Sequence, residues 1–221
     1  MTSTELLARV KFVLDETGTG TFWEDSKIYK QLDSGQNTCI SRLLAKEREL
    51  RLQGVPDFRH GSLKVLVKIA DITPDPSVNT VSLSTLTDLL DIVSVALYET
   101  SSKATLGLEE ITLEGLLRLT DNRYVASNYN STSKKGKIYY TRYQGNLLTS
   151  LSAIPSTDYD KVRIGYYAQP SEIASPTNPT LLPETHEAII NYAVSYCLEK
   201  DGKTEQALAY FQKADSLISK L

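Results

Sequence analysis

The candidates for nucleophilic, acid–base or metal-binding chemistry are two histidines, His60 and His186, and two cysteines, Cys39 and Cys197. No group of cysteines, histidines or carboxylates around either histidine has the spacing of a zinc site. Both cysteines lie among apolar residues in helical patterns, which predicts buried free thiols. We therefore expect no metal ion and no cofactor.

A second place to look for acid–base chemistry is His186, which lies between Glu184 and Glu187. These residues also begin a predicted helix, where carboxylates stabilise the positive end of the helix dipole, and we favour that interpretation. Gly136-Lys137 lacks the upstream glycine and the following Ser or Thr of a phosphate-binding loop. No nucleophile elbow occurs. The sequence predicts no catalytic residue, and an enzyme with an unrecognised site is the less favoured alternative.

Three lysines form a basic cluster that could bind a nucleic acid. Lys134, Lys135 and Lys137 lie in a polar stretch, and Tyr139 and Tyr140 follow them. Such a cluster can contact DNA phosphates or an acidic neighbouring subunit, although a solvated loop tip is the simplest interpretation. The whole chain has 24 basic and 27 acidic residues and a net charge of −3. This balance argues against general affinity for a polyanion.

The composition allows one sizeable core, or one core with a smaller subdomain, because 41% of the 221 residues are hydrophobic. No stretch approaches the roughly 18 apolar residues of a membrane span. The first residues lack the basic and then apolar order of a secretory signal. We therefore expect a soluble protein that is made in the cytoplasm and has no membrane partner.

Helical patterns occur in two separate parts of the chain. Residues 3–54 predict two helices, the second of which begins near Trp23. Within residues 183–221, Pro183 suits the first turn of a helix, Gly202 suits its end, and a last helix follows. Two helices joined by so short a turn form an antiparallel hairpin.

Strand patterns occupy the region between about residues 60 and 170, where apolar and polar residues alternate. Leu63, Val67 and Ile69, for example, alternate with lysines, which is typical of a half-buried strand. A short helix is expected at residues 112–119. Further strands are expected at residues 92–98, 138–143, 147–151 and 162–166.

The predicted fold class is α+β, with a helical bundle formed by the N-terminal and C-terminal helices and an inserted β-rich subdomain. The expected regions are N-terminal helices at 1–58, a β-rich middle at 59–170, and a Pro-rich loop with the helical hairpin at 171–221. Trp23 precedes a helix and could anchor an interface or pack against its own helix as a staple. The other candidate interface residues, all on the last helix, are Tyr210, Phe211, Leu217 and Leu221.

Three segments together resemble the head–tail adaptor (head completion, or connector) proteins of tailed bacteriophages. Residues 181–193 look like that family's Leu-Pro-Glu opening, which is followed by an apolar helix. Residues 162–170 are similar to its strand ending in aromatic residues and proline. Residues 21–29 resemble its entry of tryptophan, acidic cap and helix. The three segments occur in the family's order, and the stretch from the first to the last spans most of the chain.

The resemblance implies a structural virion protein of the neck, at the head–tail interface. Such adaptors form homo-oligomeric rings, commonly dodecameric, that dock on the portal protein and meet the tail or a further neck protein. Double-stranded DNA passes through the ring without sequence-specific binding. We expect residues 203–221 to contact the portal and the β-rich region to face the tail or adjacent subunits. A cellular helical-hairpin interaction module is the alternative, but the 34-residue repeat that would favour it is absent.

Overall fold

A computed structural model of the chain describes residues 1–15, 22–53, 55, 59–74, 80–121, 138–149 and 159–221. The chain forms two compact units. The helical unit comprises Met1–Leu66 and Pro170–Leu221, and the β unit comprises Val67–Gln169. Helices therefore lie toward both ends of the chain with a sheet between them, which confirms the predicted α+β class.

The secondary structure follows the predicted order of helices, strands and helices. None of the helices in the described ranges combines the length and the apolar character needed to cross a membrane. In chain order the elements are α1 (Ser3–Val13), α2 (Asp25–Leu52), a 3-10 helix (Gly61–Leu66), β1 (Val67–Ile72), β2 (Thr80–Ser82), β3 (Leu89–Tyr98), β4 (Thr105–Glu110), α3 (Leu113–Asp121), β5 (Ile138–Tyr143), β6 (Asn146–Thr149), β7 (Lys161–Ala168), a 3-10 helix (Pro183–Thr185), α4 (His186–Lys200) and α5 (Thr204–Lys220).

The first strand begins later than the alternation of apolar residues suggested. Residues 61–66 form a 3-10 helix, although a strand was expected from residue 63. Leu63 and Leu66 are buried, and their spacing of three residues puts them on the same side of a helix with three residues per turn. Burial of this leucine pair accounts for the difference.

The faces of β1 are also reversed relative to the expected pattern. Val67 and Ile69 are exposed, and Ile69 has 68% of its surface accessible. Ala70 and Ile72 instead pack against the core of the β unit. The expected burial of Val67 and Ile69 is therefore wrong, because the alternate residues of this edge strand form its inner face.

The helical unit is organised around α4, whose residues 188–195 are buried on every side. It packs against α1, α2 and α5. A helix segment that is buried all round belongs to the interior of a fold and needs no polar face. The buried residues of α4 are His186, Ala188, Ile189, Ile190, Asn191, Tyr192, Ala193, Val194, Ser195, Cys197 and Leu198.

A glycine permits the close approach of α2 to α4. A Cβ atom built on Gly35 of α2 would lie 2.7 Å from the carbonyl oxygen of Ile189 and 3.3 Å from the Cβ atom of Tyr192. The first distance is shorter than a carbon–oxygen contact allows, and a backbone carbonyl cannot rotate away. Gly35 therefore sets the distance between the two helices.

The turn between the two helices of the C-terminal hairpin agrees with the sequence. Gly202 has a φ of +76°, the left-handed conformation that often ends a helix. The backbone N–H of Asp201 donates to the Cys197 carbonyl, and that of Lys203 donates to the Leu198 carbonyl. The predicted helix stop at Asp201-Gly202 is confirmed.

The β unit is one seven-stranded sheet with the strand order β1-β7-β3-β4-β5-β6-β2. All neighbours are antiparallel except β4 and β5, which are parallel. Gln144 and Gly145 both have positive φ angles, 48° and 74°, as a two-residue hairpin turn between β5 and β6 requires. The sheet curls around one apolar core, to which β2 contributes Val81 and β1 contributes Ala70.

Ion pairs join the strands of the β unit. The Arg142 guanidinium on β5 donates to the buried Asp91 carboxylate on β3 at 2.5 Å and to Glu110 on β4 at 3.0 Å. Arg163 on β7 makes two 2.7 Å hydrogen bonds to Asp71 on β1. Because Asp91 is buried, the Arg142 charge offsets part of the cost of removing its carboxylate from water.

Gly35→Ala tests the close approach of α2 to α4. In a helix interior this change normally stabilises a protein, by about 1 kcal/mol. Here we expect the clash with the Ile189 carbonyl to lower the free energy of unfolding by about 2 kcal/mol, as overpacking does. Urea denaturation of both proteins measures the difference.

Gly61→Ala is the matched control, because a Cβ atom at Gly61 has no neighbour within 4 Å. Its free energy of unfolding should stay within about 0.5 kcal/mol of the parent protein. A Gly35→Ala protein that is more stable than the parent would show that the helices do not depend on this glycine.

Candidate assembly surface on the helical unit

Apolar side chains remain accessible along α5 after the helical unit has folded. Leu208 is 57% exposed and Leu221 is 37% exposed, and Tyr210, Phe211 and Leu217 are half-buried. We call these five residues the α5 surface. Accessible apolar and aromatic residues grouped on one helix are typical of a protein–protein contact.

Helical geometry divides the α5 surface into two flanks, since successive residues are 100° apart around the axis. Leu208 and Phe211 lie on one side of the inward-facing stripe, and Tyr210, Leu217 and Leu221 lie on the other. A partner could therefore contact α5 from either side. The buried residues of the inward-facing stripe are Ala207, Ala214 and Ile218.

Phe211 is partly committed to the fold of the helical unit itself. Its ring centroid lies 5.1 Å from that of Tyr192 and 6.5 Å from that of Tyr196, both in edge-to-face geometry. The Arg42 guanidinium of α2 lies 5.7 Å from the same ring, within cation–π range. Replacement of Phe211 would thus disturb three helices, so Leu208 is the better residue for testing a contact.

Asp215 joins α5 to both of its neighbouring helices. Its carboxylate forms an ion pair with Nε of Arg42 of α2 at 3.1 Å. The same carboxylate accepts hydrogen bonds from Arg42 at 3.2 Å and from the Tyr192 hydroxyl of α4 at 2.5 Å. Burial and this hydrogen bond raise the pKa of Tyr192 above its ordinary value. Lys46 of α2 donates to the Ser219 carbonyl near the end of α5. These contacts join α5 to α2 and α4 and so orient the α5 surface relative to both helices.

The other contact residues predicted from the sequence are Trp23 and three lysines. Trp23 is buried and immediately precedes the N-cap residue of α2. Ile28, at the fourth position of the helix, is also buried. Apolar residues at these two positions are the arrangement of a hydrophobic staple. A role for Trp23 at an interface stays a prediction. Lys134, Lys135 and Lys137 lie outside the described residues.

Several exposed apolar residues were not among the interface residues predicted from the sequence. Leu208 lies at the outer edge of the apolar stripe of α5 and is exposed. Phe22 is 71% exposed, and its ring contacts Trp23 edge-to-face at 5.6 Å. Phe12 is exposed at the end of α1. In a helix, the sequence signal for buried positions is an apolar stripe about 100° wide, and the sequence does not show where that stripe ends.

The acidic residues around His186 contact separate partners. Glu184 accepts a hydrogen bond from the Ser62 hydroxyl at 3.0 Å, and Glu187 lies 4.0 Å from the Arg9 guanidinium. His186 itself is buried; its Nε2 donates to the Leu181 carbonyl at 3.1 Å, and its Nδ1 accepts from the Met1 amino group at 2.9 Å. This geometry holds the chain at the start of α4.

The two cysteines are buried free thiols, as predicted. Burial raises the pKa of the Cys39 thiol to about 12, so it stays protonated and unreactive at neutral pH. In the described part of the chain, no three His, Cys, Asp or Glu side chains are grouped so that they could hold a metal ion.

Comparison with protein families gives a match over the whole chain. The family described as SU10 adaptor protein matches residues 1–221, the whole chain. The match therefore includes both units and all three segments that carry the resemblance to head–tail adaptors. Comparison with curated proteins finds no match.

The burial of His186 predicts a pH dependence of stability. Burial lowers the pKa of His186 below 6.5 because the imidazolium is poorly solvated there. The unfolded chain then binds a proton that the folded chain does not, so stability should fall as the pH drops from 7 through 6.5. The slope for one proton is at most about 1.4 kcal/mol per pH unit.

His186→Gln removes the titrating group and keeps a donor for the Leu181 carbonyl. We expect the variant to have a shallower loss of unfolding free energy between pH 7 and pH 5.5, measured by urea denaturation. Identical slopes in the two proteins would contradict the assignment.

Proposed function

The chain belongs to the SU10 adaptor protein family and is a structural adaptor protein of the bacteriophage virion, and on that premise we propose that it forms a ring in the neck of the particle. The ring docks on the portal protein, meets the tail or a further neck protein, and continues the channel for double-stranded DNA. The whole-chain family match is the observation that carries this proposal, because it includes both units and not the C-terminal hairpin alone.

The α5 surface supports a contact between this part of the chain and the portal. Leu208 and Leu221 present apolar area that the fold of the helical unit leaves uncovered, and an apolar contact of this kind stabilises an assembly in proportion to the area removed from water. Asp215 and Phe211 hold the helix in place, so little conformational entropy is lost when a partner binds. We assign the portal contact to α5 for these reasons.

The β unit supports contacts with the tail or with neighbouring subunits. Its edge strand β1 exposes Val67 and Ile69. The charged residues that commonly protect an edge strand from pairing are engaged within the sheet, since Lys68 contacts Asp88 at 2.6 Å and Asp71 binds Arg163. Exposed edge strands with apolar side chains are frequent sites of contact with other chains.

The charge of the chain is compatible with a channel for DNA. The net charge of −3 provides no broad basic surface, and a surface that bound many phosphates would release counterions and hold the DNA tightly. A ring that carries double-stranded DNA needs the DNA to slide. We therefore propose passage of DNA without sequence-specific binding, in a dodecameric ring of the kind that head–tail adaptors form.

Leu208→Asp tests the proposed portal contact. The charge would be desolvated on the α5 surface when the portal binds, and we expect the amount of chain that co-sediments with the portal ring to fall by about tenfold or more. The fold should be unaffected because Leu208 is exposed. Sedimentation of the portal ring with each variant, followed by quantification of the bound chain, measures the effect.

Ala209→Asp is the matched control, because residue 209 is exposed and lies on the side of α5 away from the helical core. It introduces the same charge one residue further along and should leave portal binding unchanged. If the parent, Leu208→Asp and Ala209→Asp proteins bound the portal equally, α5 would not be part of the portal contact. A parent chain that binds no portal ring would overturn the adaptor proposal itself.

A further inference from the structure

The helical unit contains a groove that the proposed portal contact does not use. It lies between the first turns of α2 and residues 172–175 of the Pro-rich loop, and its volume is about 630 Å³. Ile173 is buried at its floor, and the half-buried Tyr29 forms part of its wall. An apolar floor of this size can hold several side chains of a bound segment.

The sides of the groove are predominantly acidic. Asp25, Asp33 and Glu172 line it, and Lys30 is the one basic residue among its lining residues in the described part of the chain. Asp25 already contacts Lys11 of α1. Asp33 and Glu172 are therefore the carboxylates with capacity for a cationic partner.

Asp33 is fixed in the direction of the groove by its own hydrogen bonds. Its carboxylate accepts from the Ile173 backbone N–H at 3.3 Å and from the Asn37 side chain at 3.2 Å. Burial raises the pKa of Asp33, and the negative charge of Glu172 adds to that rise although the hydrogen bond from Ile173 opposes it. A cation beside the two carboxylates would relieve their mutual repulsion.

We propose that this groove binds the basic segment Lys134–Lys137 of a neighbouring copy of the chain. The segment carries three lysines within four residues, and the groove offers carboxylates at its sides, so the two are complementary in charge. The long apolar stems of lysine can cover the apolar floor while their ammonium groups meet the carboxylates. The inference rests on the proposed ring.

Symmetry favours a neighbouring copy as the source of the segment. A ring is built from head-to-tail interfaces, in which one surface of each subunit meets a different surface of the next. The groove and the basic segment are two different, oppositely charged features of the same sequence, as such an interface requires. DNA is disfavoured as the occupant because its phosphates would be repelled by the carboxylates of the groove.

Disulfide trapping tests the proposal in rings assembled on the portal. Ser26→Cys places a thiol at the side of the groove, and Ser133→Cys places one beside the lysines; both changes keep every charge. The native Cys39 and Cys197 are buried and do not compete. One batch of chain carries Ser26→Cys, another carries Ser133→Cys, and the two are mixed before assembly and mild oxidation, so that only a bond between copies can form.

We expect covalent dimers of the mixed chains on a non-reducing gel. The control replaces Ser26→Cys by Ser41→Cys, an exposed position on the same helix about 22 Å away at 1.5 Å per residue. The control should give about tenfold less dimer, because proximity determines the yield of trapping. Equal yields from the two mixtures, or no dimer in either, would overturn the proposal.

Charge reversal separates this proposal from the proposed function. Lys134→Glu, Lys135→Glu and Lys137→Glu combined should lower the number of copies retained per portal ring by about tenfold, through repulsion from the groove. Glu172→Lys and Ser34→Lys added to the same chain should restore it. Unchanged ring formation by the triple variant would overturn the groove contact but not the proposed adaptor ring. If the triple variant lost only DNA binding, the lysines would be a DNA contact instead. A parent chain without rings would instead overturn the proposed function.

Discussion

The burial of the middle turns of α4 on every side is the constraint on which the helical unit depends. The middle turns of α4 have no solvent face, and α1, α2 and α5 cover them. The closest crossing is possible because Gly35 has no side chain where α2 meets the Ile189 carbonyl. The positions of the candidate contact surfaces then follow from the positions of the covering helices.

Burial also requires that the polar groups of α4 find partners inside the protein. Asn191 donates to the Glu187 carbonyl, and Ser195 donates to the Ala207 carbonyl of α5. Gln36 of α2 donates to the Ser171 carbonyl and accepts from the Thr180 backbone N–H, so it holds both ends of the Pro-rich loop. These hydrogen bonds pair buried polar groups, and they also position α5 and one side of the acidic groove.

The sequence was most informative where a local rule decides the structure. Pro183 and Gly202 marked the C-terminal helices because their backbone preferences are intrinsic. Other features of the fold depend on tertiary contacts, which the sequence does not show. Alternation could not distinguish the inner from the outer face of β1, and Leu208 could not be separated from the buried stripe of α5. The groove was not predicted, because it joins residues about 140 positions apart along the chain, a proximity that follows only from the packed fold.

The proposed function puts α5 against the portal in an assembled ring. Electron cryomicroscopy of the neck, or of the chain bound to its portal ring, tests it most directly. We expect a ring of copies in which residues 203–221 of every copy are within contact distance of the portal. A ring in which residues 203–221 face solvent on the outer side would contradict it.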